Sequence, residues 1–476
     1  MSIIQHLTRV LPKGIVITGN ESTRPYECDG LSMYKKKPLA VVLPENIGQV
    51  RIALRLCRKL KTPVVTRGAG TGLSGGAQPI DQCVVLGLSK LNRIKSIDAD
   101  NKLAVVEPGV RNIAISEAVS KYGLYYAPDP SSQIACSIGG NVAENAGGVH
   151  CLKYGLTVHN IESIKLLTIN GDELLLSRKD DGLGLLALMN GSEGLLGVII
   201  EITVKLKTKP DLARVIMAGF DSVRGCANSV ADIIKAGIIP AGLEMMDKIA
   251  IEAAEGFAQV GYPLDAEALL LCELDGSKSD VEAEIDATMK ILSGASTIKV
   301  SNNENERMAL WKGRKSAFPA VGRLSPDYYC MDGTIPRRNL ADMLEKINDL
   351  SNKYKLRVAN VFHAGDGNLH PLIMYDANMD GEIQRAEEFG NEILKLSVEM
   401  GGSVTGEHGV GIEKLDAMCY QFNLKELEVF HKIKEVFDPD SLLNPGKAVP
   451  ELHRCAELGA MHVHKGVLPH PELERF

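Results

Sequence analysis

Arg67-Gly68-Ala69-Gly70-Thr71-Gly72-Leu73-Ser74-Gly75-Gly76 is the stretch whose reading decides the fold. It continues the run Pro63 to Arg67, which reads as a strand, and Gly70-x-Gly72-x-x-Gly75 satisfies the spacing of a dinucleotide-binding fingerprint. That fingerprint also needs a helix starting at the third glycine, whose N-terminus holds the pyrophosphate, and an acidic residue about 20 positions later. Here Pro79 and the next expected strand, Cys83 to Leu88, leave no room for such a helix. Two readings remain: a loop whose consecutive N–H groups surround an anion, or a flexible surface turn.

Working outward, two more glycine clusters lie in the same half. Pro128-Asp129-Pro130-Ser131-Ser132 leads into Ser137-Ile138-Gly139-Gly140-Asn141-Val142-Ala143-Glu144-Asn145-Ala146-Gly147-Gly148, and Gly191-Ser192-Glu193-Gly194-Leu195-Leu196-Gly197-Val198-Ile199 enters an alternating strand. Such charge-poor, glycine-rich loops suit backbone packed closely along an extended ligand. Between them the spacing predicts a helix over 45–61, two strands about Ala99-Asp100-Asn101, a helix over 111–122 and a hairpin turning at Asn170-Gly171. After Lys209-Pro210, strands and helices alternate as in a second α+β domain. Its longest helical candidate, Glu304 to Val321, carries the only tryptophan, Trp311.

Composition limits the possible chemistry. The 476 residues carry 53 Lys+Arg against 60 Asp+Glu, a net charge of −7. Nucleic acids and anionic membranes are held by clustered cations, and the densest cluster is only Lys35-Lys36-Lys37, so no nucleic-acid partner is expected. No apolar run is long enough for a direct membrane span, and no signal peptide is read at the N-terminus, so the chain is expected in the cytoplasm. The 10 cysteines include no C-x-x-C pair, which removes zinc-ribbon, thioredoxin-like and ferredoxin-like readings.

The sharpest motif of the second half is Phe362-His363-Ala364-Gly365-Asp366-Gly367-Asn368-Leu369-His370-Pro371. A two-residue turn at Asp366-Gly367 would pair 363 with 370 and set the two imidazoles face to face across the strands. Two imidazoles so placed can share a divalent cation such as zinc or manganese, given a third ligand. Thr405-Gly406-Glu407-His408-Gly409 offers Glu407 as that ligand and His408 as a general base near neutrality. Arg314, in the Trp311 helix, suits a substrate carboxylate because a guanidinium binds one bidentately. Satisfied strand histidines and solvated loop or helix residues are the bland alternatives for each.

Taken together and in this order, these motifs resemble the FAD-linked oxidases of vanillyl-alcohol-oxidase type that act on D-2-hydroxy acids. The resemblance runs from about Pro38 to Lys447. Within the family, Trp311-Lys312-Gly313-Arg314-Lys315-Ser316-Ala317-Phe318-Pro319-Ala320, Tyr328 to Thr334 and the tail near Leu452 are most similar to flavin-carrying subunits of bacterial glycolate oxidases.

The resemblance implies an α+β fold. A two-lobed FAD-binding domain, 38–210, would follow an N-terminal extension, 1–37, and precede a C-terminal α+β cap, 211–448, with 449–476 as a partner-docking tail. It implies noncovalent FAD, although His150 lies just past the second cluster. Arg67, Gly68, Ala69, Gly70, Thr71 and Gly72 would hold the pyrophosphate, while Pro128, Asp129, Ser132, Gly139, Gly140, Asn141, Asn145, Gly148, Glu193, Gly194, Val198 and Ile199 would line the flavin and adenosine. Metal binding falls on His363, His370 and Glu407, proton abstraction on His408, and the carboxylate on Arg314.

Some members place a lysine near Cys330, and its absence here makes Lys447 a candidate second cation. The implied reaction oxidises glycolate, or a related acid such as D-lactate, by hydride transfer to FAD. Electrons would pass to a flavoprotein-like and an iron–sulfur subunit, bringing the chain to the inner face of the cell membrane. A stand-alone D-lactate or D-2-hydroxyglutarate dehydrogenase, a noncatalytic flavoprotein subunit and a metal-dependent hydrolase remain open at this point.

Overall fold

Ala40–Val42 and Val84–Gly87 are short apolar, fully buried runs and Val64–Arg67 is a largely buried one, the pattern of parallel strands covered on both faces. In the computed structural model, which describes residues 1–451, they pair in parallel in that order, with Val16–Ile17 antiparallel at one edge. The helix Ile47–Lys59, capped by Asn46, lays Val50, Leu54 and Cys57 onto Val64, Val84 and Leu86. A second, antiparallel sheet runs in the order Ile94–Asp98, Leu103–Val106, Val198–Lys205, Ile161–Leu167, Glu173–Ser177. The stretch from Gly68 to the Val84 strand contains no helix, as the spacing of Pro79 requires.

The second glycine cluster departs from expectation. Ile138–Glu144 is a helix, started by Ser137, whose Oγ accepts the N–H of Gly140. Glycines disguised it, because their helix propensity is poor.

The other unit is built on a seven-stranded antiparallel sheet ordered Thr297–Val300, Leu212–Phe220, Ala268–Gly276, Gly242–Asp247, Val358–His363, Asn368–Tyr375, Asp327–Cys330. Met246, Val361, Leu372 and Met374 share a core with Ile251 of the Lys248–Ala258 helix and Trp311 of the Glu304–Lys315 helix. The expected helix 304–321 is interrupted at Ser316 and resumes as Ala317–Val321. Pro319 explains the break: it has no N–H to give the carbonyl four residues earlier, and its ring crowds that carbonyl.

The units are not contiguous spans. Met1–Gly147, Leu156–Thr208 and residues 407–451 form one; Gly148–Gly155 and Lys209–Gly406 form the other. These compact units cut the chain differently from the expected spans 38–210 and 211–448. Within the first unit, Glu193 accepts the N–H groups of Val410 and Gly411 at 2.7 and 2.6 Å, and Ser74 O accepts those of Ile412 and Glu413. Within the second, Lys153 and Tyr154 both reach Asp275 at 2.5 Å. Residues 452–476, most of the expected docking tail, lie outside the described part.

Candidate active site

In the second unit the site starts from strand register. Val361 pairs with His370, Phe362 with Leu369 and His363 with Asn368, so the connection is Ala364 to Gly367 and not the expected two-residue turn. Gly365 N–H bonds Leu243 O at 2.9 Å, and Gly365 O accepts from Arg337, so Gly365 is drawn out of the ladder. Gly367 has φ +80°, and a Cβ there would overlap Ile335 O, which makes glycine obligatory at that corner. The histidines are therefore diagonal neighbours on one face. Their rings still meet, with centroids 5.0 Å apart and planes at 86°.

Met246 pairs with Val361, and the same register carried two residues along sets Glu244 across from His363 on that face. Glu244 Oε1 lies 2.7 Å from His363 Nδ1, and its Oε2 lies 2.6 Å from Arg314 Nη2. Arg314 is three residues from Trp311, so both project from one side of their helix. Arg314 and Glu244 are each 1% exposed. Burial by itself would raise the Glu244 pKa, but the neighbouring His363 and Arg314 outweigh it and hold the carboxyl below its usual range. Among the described residues, none of the three Arg314 guanidinium nitrogens has a hydrogen-bond partner, and Nη2 makes only the ion pair with Glu244. A buried guanidinium with unused donors is the chemistry that a carboxylate ligand completes. Asp332, fully buried, accepts from Asn368 Nδ2 at 2.9 Å, Thr405 Oγ1 at 2.7 Å and Gly406 N–H, and its Oδ1 lies 3.5 Å from His370 Nε2.

The donor set fits a divalent cation. An ionised carboxylate on Nδ1 fixes that nitrogen as the N–H of His363 and leaves Nε2 as the ligand atom, the usual arrangement around metal-bound histidine. Glu244 and Asp332 were missed as site residues from sequence. Glu244 left one signal, a lone carboxylate inside the apolar run Ala241 to Met246.

In the first unit the glycine loop fits a phosphate-bearing ligand. Among the described residues, the N–H groups of Ala69, Gly70, Thr71 and Gly72 meet no protein acceptor. Gly70 has φ +73°, and a Cβ there would overlap the Arg67 guanidinium, which bonds Cys28 O at 2.7 Å beneath the loop. A Cβ on Gly72 would meet nothing within 4 Å. A Cβ on Gly68 would strike Ser137 Oγ, so the first two clusters lie against each other.

Other expected cofactor residues do structural work through their side chains. Asn112 Nδ2 ties Pro128 O to Asn141 Oδ1, Asn145 Oδ1 accepts from Val158 N–H, and the Glu193 carboxylate is used on Val410 and Gly411. Burial raises the Glu193 pKa despite those N–H groups and the charges of Lys414 and Lys447. Asp129 is buried, Ser132 is half-buried, Gly139 and Gly140 belong to the helix, Gly148 and Gly194 have positive φ, and Val198 and Ile199 open the Val198–Lys205 strand.

Lys447 departs from expectation. Its Nζ donates to Gly76 O at 2.9 Å and Gln78 O at 2.5 Å, so it fastens the first glycine loop, and burial lowers its pKa to about 8. His150 is engaged with Glu273 Oε1 at 3.2 Å in the second unit. Glu407 Oε1 lies 3.9 Å from His408 Nε2 in the first.

Comparison with known proteins gives the family. Residues 38–177 match the model of an FAD binding domain, and residues 209–448 match the C-terminal domain of FAD linked oxidases. The chain is 59% identical over 480 aligned positions to the glycolate oxidase subunit GlcD of Escherichia coli, covering 100% of this chain and 96% of the relative. It is 30% identical to a D-lactate dehydrogenase of Anaerostipes hadrus, covering 94% and 96%. The fold matches the structure of p-cresol methylhydroxylase with substrate bound, at TM-score 0.80 and 17% identity, covering 95% and 97%. The chain thus has the vanillyl-alcohol-oxidase type of fold and belongs to the FAD-linked oxidases, a flavoprotein oxidoreductase with an FAD-binding domain and the family's C-terminal domain.

Proposed function

We propose that this flavoprotein oxidises glycolate, and other small D-2-hydroxy acids such as D-lactate, to the 2-oxo acid. The observation that carries the reading is the buried group in the second unit: Arg314 with unused donors, bound through Glu244 to an imidazole pair. A carboxylate on Arg314 and a carbinol near the histidines describe a 2-hydroxy acid. When bound, FAD supplies the hydride acceptor and a divalent cation, zinc or manganese, supplies charge that acidifies the substrate hydroxyl.

The chain's own residues do the rest. Arg314 fixes the carboxylate and so orients the carbinol, a proximity contribution. His363 and His370 hold the cation, with Glu407 as third ligand from the motif. His408 takes the hydroxyl proton on its imidazole. The backbone of Ala69 to Gly72 holds the pyrophosphate of FAD noncovalently.

Electrons would leave to an iron–sulfur partner, since no C-x-x-C pair occurs in the chain. Similarity to a protein named as a subunit supports a partner; with it the chain would work in the cytoplasm, beside the membrane. Among the described residues no helix is long and apolar enough to cross one. His408→Ala tests the chemistry: FAD content should stay, and glycolate-dependent reduction of an artificial acceptor should fall about 100-fold or more. Undiminished turnover would remove His408 as the base.

A further inference from the structure

We propose that Glu244 is a positioning residue that serves both halves of the substrate site, orienting His363 toward a divalent cation and Arg314 toward the substrate carboxylate. It rests on the reading above of the histidine pair and Arg314. One carboxylate, 1% exposed, uses Oε1 on His363 Nδ1 and Oε2 on Arg314 Nη2, at 2.7 and 2.6 Å. Because an ionised carboxylate only accepts, the His363 proton sits on Nδ1 and the lone pair on Nε2. Its grip on a single guanidinium nitrogen leaves Nε and Nη1 for a ligand. The neighbouring pairs, Met245 with Phe362 and Met246 with Val361, bring Glu244 and His363 to the same end of adjacent strands, so the bridge is prepared by the sheet.

A purely structural ion pair would affect folding and leave metal affinity unchanged. FAD-loaded wild type and Glu244→Gln are therefore titrated with Mn²⁺, reading free cation by electron paramagnetic resonance. The variant should bind Mn²⁺ about 10- to 100-fold more weakly at equal FAD content, with KM for glycolate raised more than kcat is lowered. If the variant does not fold, ¹⁵N-histidine NMR of the wild type decides: Zn²⁺ should shift Nε2 of His363 and leave Nδ1 protonated. Equal Mn²⁺ affinity in a folded variant, or metal on Nδ1, would overturn the role of Glu244 alone. A wild type that binds no Mn²⁺ would overturn the reading of the histidine pair and this proposal with it.

Discussion

Arg314 shows how far residue chemistry can be read before a fold is known. A helical arginine usually lies on a solvated face, yet here Trp311 one turn earlier marks the buried side, and spacing carries Arg314 inward with it. The carboxylate that receives it was illegible, because Glu244 sits in a strand buried on both faces, where no alternation singles out a position. Lys447 shows a role that spacing does not reveal: a lysine amid turn residues suggests a substrate cation, and its amine donates to two backbone carbonyls. Arg314→Lys keeps the charge and loses the planar fork, so kcat/KM for glycolate should fall about 100-fold, close to 3 kcal/mol, the worth of lost hydrogen bonds to a charged group. An unchanged kcat/KM with a bound flavin would show that the carboxylate binds elsewhere.

Elements were legible where periodicity was clean and obscured where glycine stood in for it. The parallel strands and the Ile47–Lys59 helix follow from apolar spacing and an asparagine cap, whereas the Ile138–Glu144 helix hides in a glycine run. The His363–His370 hairpin was recognisable, but its register was not: Asp-Gly signals a two-residue turn, and only the tertiary bond from Gly365 N–H to Leu243 O widens it. The glycine loop makes a separable prediction. A Cβ on Gly72 meets open space in the protein, so Gly72→Val should leave the thermal unfolding of apoprotein within about 2 °C of wild type, an effect below 1 kcal/mol. It should weaken FAD binding at least tenfold, about 1.4 kcal/mol. Fluorescence titration with FAD measures this, and unaltered affinity would mean that the loop does not face the cofactor.

For the whole molecule, sequence order suggests two consecutive domains, while spatial proximity groups 148–155 with the second compact unit and 407–451 with the first. Single buried carboxylates hold these exchanges, and such contacts between distant positions leave no local pattern. Glu273, 2% exposed, is one: burial would raise its pKa, but bonds from His150 and Trp311 and the Arg307 charge lower it to about 2 from an ordinary 4.5. A carboxylate with a lowered folded-state pKa stabilises fully above pH 4.5, and that stability is lost as pH falls toward 2. The shift corresponds to about 3 kcal/mol. Urea unfolding should therefore show the advantage of wild type over Glu273→Gln narrowing across that window; an advantage independent of pH would contradict it. The central claim is oxidation of a 2-hydroxy acid at the flavin, and anaerobic mixing of the FAD-loaded chain with glycolate and with D-lactate tests it most directly. The flavin absorbance should bleach with at least one of the two acids, and more slowly after chelation; FAD that stays oxidised with both, while demonstrably bound, would contradict the account.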